Sequence, residues 1–132
     1  MKYTKVEFEK VDLVTIFSDG LCGDDVIIGY PDETKKLWEK MKTQMTDDEL
    51  SNICFEEKLA IILLNGGKLD LIDEYADHAV GKHHIVDIED FNRAACTKDG
   101  IHYIDEIMQG KDDFFTGWNF LQIVMFGEVI YG

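Results

Sequence analysis

Positive charge is scarce in this chain. Its 132 residues include 13 lysines and arginines against 27 aspartates and glutamates, a formal net charge of −14. An electrostatic grip on nucleic-acid phosphates or on an anionic membrane surface is therefore disfavoured. Long apolar runs are also missing: the longest, Leu59 to Leu64, has six residues, against the ~20 that span a bilayer. The first ten residues alternate charged and apolar types and lack the continuous apolar stretch of a secretory signal, which makes a cytoplasmic location the expectation. Cys22, Cys54 and Cys96 are odd in number and do not have the paired spacing of a zinc or redox motif, in keeping with reduced thiols. There is no Gly-x-Ser-x-Gly elbow, Walker loop, dinucleotide fingerprint or His-Glu-x-x-His. No catalytic residue, cofactor or metal is assigned on motif grounds.

What is present describes one globular domain over residues 1–132. The chain is 45% apolar and 11% aromatic with a single proline, and a chain of this length buries roughly 68% of its unfolded surface. The expected fold class is α+β, a small antiparallel sheet packed on several helices. Residues 3–17 alternate at intervals near two and predict one or two strands, and Val26–Tyr30 predicts another. Pro31 suits a first helical position, so a helix is expected over 31–45. Thr46-Asp47-Asp48-Glu49 matches a capping box, starting a buried helix over 47–64 that closes at Asn65-Gly66-Gly67. Residues 114–126 predict a second buried helix, and 127–132 are a candidate further strand of the sheet. Between these, Leu69–Val80 shows a moderately helical pattern, His83–Val86 predicts a short strand, Asp87–Cys96 a helix capped by Asp87, and Ile101–Met108 a helix ending at Gly110.

Four features carry candidate chemistry. On a 47–64 helix Glu57 falls within an apolar stripe, and a carboxylate facing a core must be paired or protonated; Arg93, a histidine, a tyrosine or an edge position would satisfy it. His78, His83, His84 and His102 lack helical or strand spacing for a shared metal. The Asp19–Asp25 loop offers three acids and two glycines to a hard cation, without the EF-hand order. If 69–80 is helical, Asp70, Asp73, Glu74 and Asp77 form one outward stripe at i, i+3, i+4 and i+7. Stacked like charges cost helix stability, and successive turns set them roughly 5–6 Å apart, near the spacing of phosphates on a strand.

The expectation from sequence is thus a non-enzymatic acidic interaction module. It presents carboxylates at Asp70, Asp73, Glu74 and Asp77 to a basic protein partner, including as an inhibitor that mimics nucleic acid before a nucleic-acid-binding enzyme. The alternative is a small enzyme or a ligand- or cation-binding domain using Glu57 or the Asp19–Asp25 loop.

Overall fold

Two periodicities divide the buried residues of this protein between a helical layer and a sheet. The computed structural model describes residues 7–23, 25–75 and 82–131. Among these the order is α1 (Lys10–Gly20), β1 (Val26–Gly29), α2 (Asp32–Lys42), α3 (Asp47–Asn52), α4 (Phe55–Leu64), β2 (Leu69–Asp73), β3 (His83–Val86), α5 (Ile88–Ala95), α6 (Lys98–Met108) and α7 (Phe114–Phe126). The class is α+β, with a three-stranded antiparallel sheet in the order β1-β2-β3.

The helical layer centres on α1, which packs against α7 and α4. Leu13, Ile16, Phe17 and Gly20 are its buried residues, spaced i, i+3, i+4 and i+7 as one helical face. The strand expected over 3–17 is corrected accordingly: residues 3–6 lie outside the described residues, and from Lys10 the stretch is helical. The Asp12 carboxylate accepts the Glu9 N–H at 3.2 Å, so an acid in the first turn closes the helix start. Gly20 and Gly117 let α1 and α7 touch backbone to backbone. A Cβ at Gly117 would stand 2.5 Å from Asp19 Cβ and 2.6 Å from Gly20 N. Around this crossing Phe17, Phe91 and Phe120 form a chain of rings with centroids 5.8 and 6.1 Å apart.

The 47–64 helix is two helices. Thr46 and Glu49 make the reciprocal capping box, with both bonds at 3.1 Å, but α3 ends at Asn52 and Ile53 is extended (φ −77°, ψ 120°). Ser51 Oγ donates to Asp47 O and Asn52 Nδ2 to Asp48 O, local bonds that compete with the helix ladder. The chain restarts at α4, whose Leu59, Ala60, Ile62 and Leu63 enter the core. Helix α7 is buried as expected. It closes at Gly127, whose φ of 82° is left-handed and suits glycine.

Residues 127–131, the described part of the C-terminus, do not join the sheet. The fully buried Gln122 holds them instead: its Oε1 accepts from the N–H groups of Ile130 (3.0 Å) and Tyr131 (2.8 Å). A side-chain amide thus makes the backbone bonds that a strand partner would have made.

In the sheet, Leu69, Leu71 and Asp73 are buried, and Asp70 and Ile72 lie on the opposite face. The helix expected over 69–80 is corrected: 69–73 is a strand, and residues 76–81 lie outside the described residues. Alternating burial with period two decides it, since Leu69 and Leu71 share a strand face and oppose Val86 and His84 of β3.

Candidate functional site

The sheet presents one face to the helices and leaves the other open. In the register Val26↔Asp73, Ile28↔Leu71 and Leu69↔Val86, one face is buried. The other carries Ile27, Ile72 and His83 in one row and Gly29, Asp70 and Ile85 in the next. Ile27 is 44% and Ile85 53% exposed. Isolated exposed apolar residues are ordinary; several on one strand face form a patch.

Asp70 lies within this patch. Its side chain is only 16% exposed, and Oδ2 lies 2.7 Å from His83 Nδ1. Its other oxygen, Oδ1, is buried and has no hydrogen-bond partner among the described residues. Gly29 makes the room: a Cβ there would meet Ile72 Cδ1 at 3.3 Å and Asp70 Cβ at 3.4 Å. A buried acceptor without a donor costs free energy, about 1–3 kcal/mol and more when charged.

The other acids of the predicted stripe go elsewhere, because i and i+3 fall on opposite faces of a strand. Asp73 points inward at 2% exposure. Its Oδ2 accepts the Tyr131 hydroxyl (2.7 Å) and its Oδ1 the Tyr75 N–H (2.9 Å). Tyr131 in turn stacks on Trp118, with ring planes 6° apart, and its bond to Asp73 pushes the hydroxyl pKa up. Glu74 is exposed and lies 3.8 Å from Lys82. Asp77 lies outside the described residues. Residues 70, 73 and 74 therefore form no row of carboxylates at helical spacing, and of these three described residues Asp70 alone stands on the open face.

The two alternative sites disperse as well. Glu57 falls in the first turn of α4, where a helix favours carboxylates, with its side chain 32% exposed. It pairs with Lys10 at 3.5 Å and accepts from Cys54 Sγ at 3.6 Å. It is an edge carboxylate partnered by a lysine, at a hollow of about 240 Å³ shared with Met45 and Ile53. The Asp19–Asp25 loop does not converge: Asp25 accepts the Tyr75 hydroxyl, Asp24 lies outside the described residues, and Asp19 faces Asp112 and Asp113. Burial first, then Asp112 and the charge of Asp113, push the Asp19 carboxyl up to about 7.

His102 pairs with Glu106 at 2.7 Å, remote in sequence from the His83–Asp70 pair, and His78 lies outside the described residues. Among the described residues no three histidine, cysteine or acidic side chains gather as metal ligands, and no helix is long and apolar enough to cross a membrane.

Sequence reasoning missed the open face. The signal was available in Val26-Ile27-Ile28 and Leu69–Asp73, where period two sets Ile27 and Ile72 opposite the core-facing residues. Comparison with protein-family models, with curated proteins and with solved structures finds no match.

Proposed function

We propose that this is a non-enzymatic interaction protein that holds a basic protein partner against the open face of its sheet. The observation that carries this reading is the open strand face of Ile27, Ile72 and Ile85, which also bears Asp70, a carboxylate held at 2.7 Å from His83. An apolar patch with one acceptor at its centre suits a partner surface that brings an aliphatic contact and a lysine or arginine donor. The net charge of −14 steers such a partner inward and repels a second copy of the same chain. Nucleic-acid-binding enzymes belong to the class of basic partners this surface would attract, but the support now comes from one placed carboxylate and not from a phosphate-like ladder.

The test is affinity capture with the wild-type chain, D70N, I27E and, as a control on α6, I101E. Basic proteins should be retained at about 0.05 M salt and released at about 0.5 M, where surface charge is screened. D70N and I27E should each lower their recovery about tenfold, a loss typical of an interface anchor, and I101E should leave it unchanged. Equal recovery by D70N, I27E and the wild type would overturn the reading.

A further inference from the structure

Among the described residues each outer strand of the sheet has one side without a neighbouring strand, and hydrogen-bond parity shows which backbone groups face outward. Asp73 donates its N–H to Lys82 O at 2.8 Å, and Leu71 and Leu69 stand opposite His84 and Val86. Antiparallel partners alternate between pairs that exchange both backbone bonds and pairs that exchange none. Lys82, His84 and Val86 therefore turn their backbone groups toward β2, and His83 and Ile85 turn theirs to the outside. Among the described residues nothing there completes them. Soluble proteins usually blunt such an edge with a lysine, a proline or a bulge. The sequence of β3, His83-His84-Ile85-Val86, has neither lysine nor proline.

Beside this edge lies a groove of about 430 Å³, lined by β3, by Ala94 of α5 and by Ile123, Val124 and Met125 of α7. Arg93 and Asp90, paired at 2.7 Å, form part of its wall. His84 also lines it, with Nε2 buried and unpartnered. The opposite edge of the sheet, where Val26 and Ile28 turn outward by the same parity, meets Leu21 and Phe55 across a smaller hollow of about 300 Å³.

We infer that β3 takes up an extended segment of the basic partner as a fourth strand. This rests on the reading of the protein as an interaction protein and adds the mode of binding. The segment spans about four residues, or ~13 Å, matching His83–Val86. Its backbone completes His83 and Ile85. Alternate side chains are apolar, one set facing Val124 and Met125 in the groove and the other lying beside Ile85, with flanking lysine or arginine drawn by the net charge of −14. A second copy of this chain has the edge but not the charge, since both molecules would carry −14.

The probe is a displayed library of random peptides of about twelve residues, selected on the full chain, with enriched peptides then synthesised. Amide hydrogen exchange on the wild-type protein should slow at His83 and Ile85 by about tenfold or more when peptide binds. I85P removes an outward donor and leaves the bonds to β2 in place, which an edge strand tolerates; it should weaken binding about tenfold, and I28P on the other edge should leave it within about twofold. N-methylation of the peptide at alternate positions should abolish binding in one phase and spare it in the other, independently of how I85P folds.

Enriched peptides that leave both amides unprotected, or protect Val26 and Ile28 instead, would overturn the inference. So would a dimer that I85P dissolves, because the occupant would then be a second copy. Protection at Ile85 combined with capture insensitive to D70N would remove the basic-partner reading alone, and the converse would remove the edge alone.

Discussion

The crossing of α1 with α7 and the open face of the sheet show what the same apolar residue types do in two settings. At the crossing, Ile16, Phe17, Phe120 and Leu121 are 5% exposed or less, and glycines bring the two backbones into contact. On the open face, Ile27 and Ile85 are about half exposed and share the face with Asp70. Burial of an aliphatic side chain contributes roughly 1.5–3 kcal/mol, so the helical layer gains most of this and the open face forgoes part of it. The outer sheet face thus retains apolar surface that folding leaves exposed, and the helical crossing does not.

Substitution at the crossing should sharpen that contrast most. Gly117→Ala adds one methyl group where Asp19 Cβ and Gly20 N would be 2.5 and 2.6 Å away, so α1 and α7 must separate. Overpacking of this kind costs about 3 kcal/mol at the upper end of its usual range, and the gain in helix propensity from replacing glycine offsets at most about 1 kcal/mol. Urea denaturation should show a midpoint drop corresponding to about 2–3 kcal/mol. A loss below about 1 kcal/mol would mean that the two helices have room to move, and the comparison would fail at its stable end.

A smaller effect is expected where α1 ends against the start of α7. The Asp19 carboxyl is pushed from 3.8 up to about 7 by burial, by Asp112 and by Asp113. The folded protein therefore holds a proton there that the unfolded chain releases. The associated stability is fully present below 3.8 and is lost as pH rises to about 7, after which it changes no further. Asp19→Asn removes the titrating group and can donate its amide to Asp112. The melting-temperature difference between D19N and the wild type should grow by about 3 °C between acidic and mildly alkaline pH, a size held down by the partial exposure of the site. A difference that stays constant across this range would show that no proton is held at the crossing.

How much of this was legible in the sequence depends on which signals were local. Thr46 with Glu49, Asp87 ahead of α5, and the glycine after α7 are caps set by neighbours within four residues, and the structure makes each of them. The apolar mass of α7 was legible for the same reason. Residues 10–17 fit a strand because Val11, Leu13 and Phe17 fall at period two, and the Asp and Gly content of 18–25 fits a loop; Ile16 and Gly20, which complete a helical face with Leu13 and Phe17, decide for a helix. Residues 69–73 failed in the opposite direction. Acids at 70, 73 and 74 fit a helical stripe, yet Asp73 belongs inside because Tyr131, fifty-eight positions on, supplies its hydroxyl, a partner no local pattern reveals. Of the candidate site, Asp70 stands out in the sequence only by its charge, as one of four acids. The isoleucines around it do not stand out, because a strand of four residues with one open face resembles a buried strand until its neighbours are known.

The open end of the comparison makes the smallest prediction for stability. Ile27→Thr keeps a β-branched side chain on β1 and removes apolar surface that is already 44% exposed, so folding stability should change by less than about 0.5 kcal/mol. If the proposed reading holds, recovery of basic proteins in the capture experiment should nevertheless fall, because binding would bury the same surface. A residue that contributes little to folding and much to binding is what the division between helical layer and sheet face requires. Should Ile27→Thr instead cost as much stability as a core truncation, about 2 kcal/mol or more, the face is closed in solution and its isoleucines belong to the core.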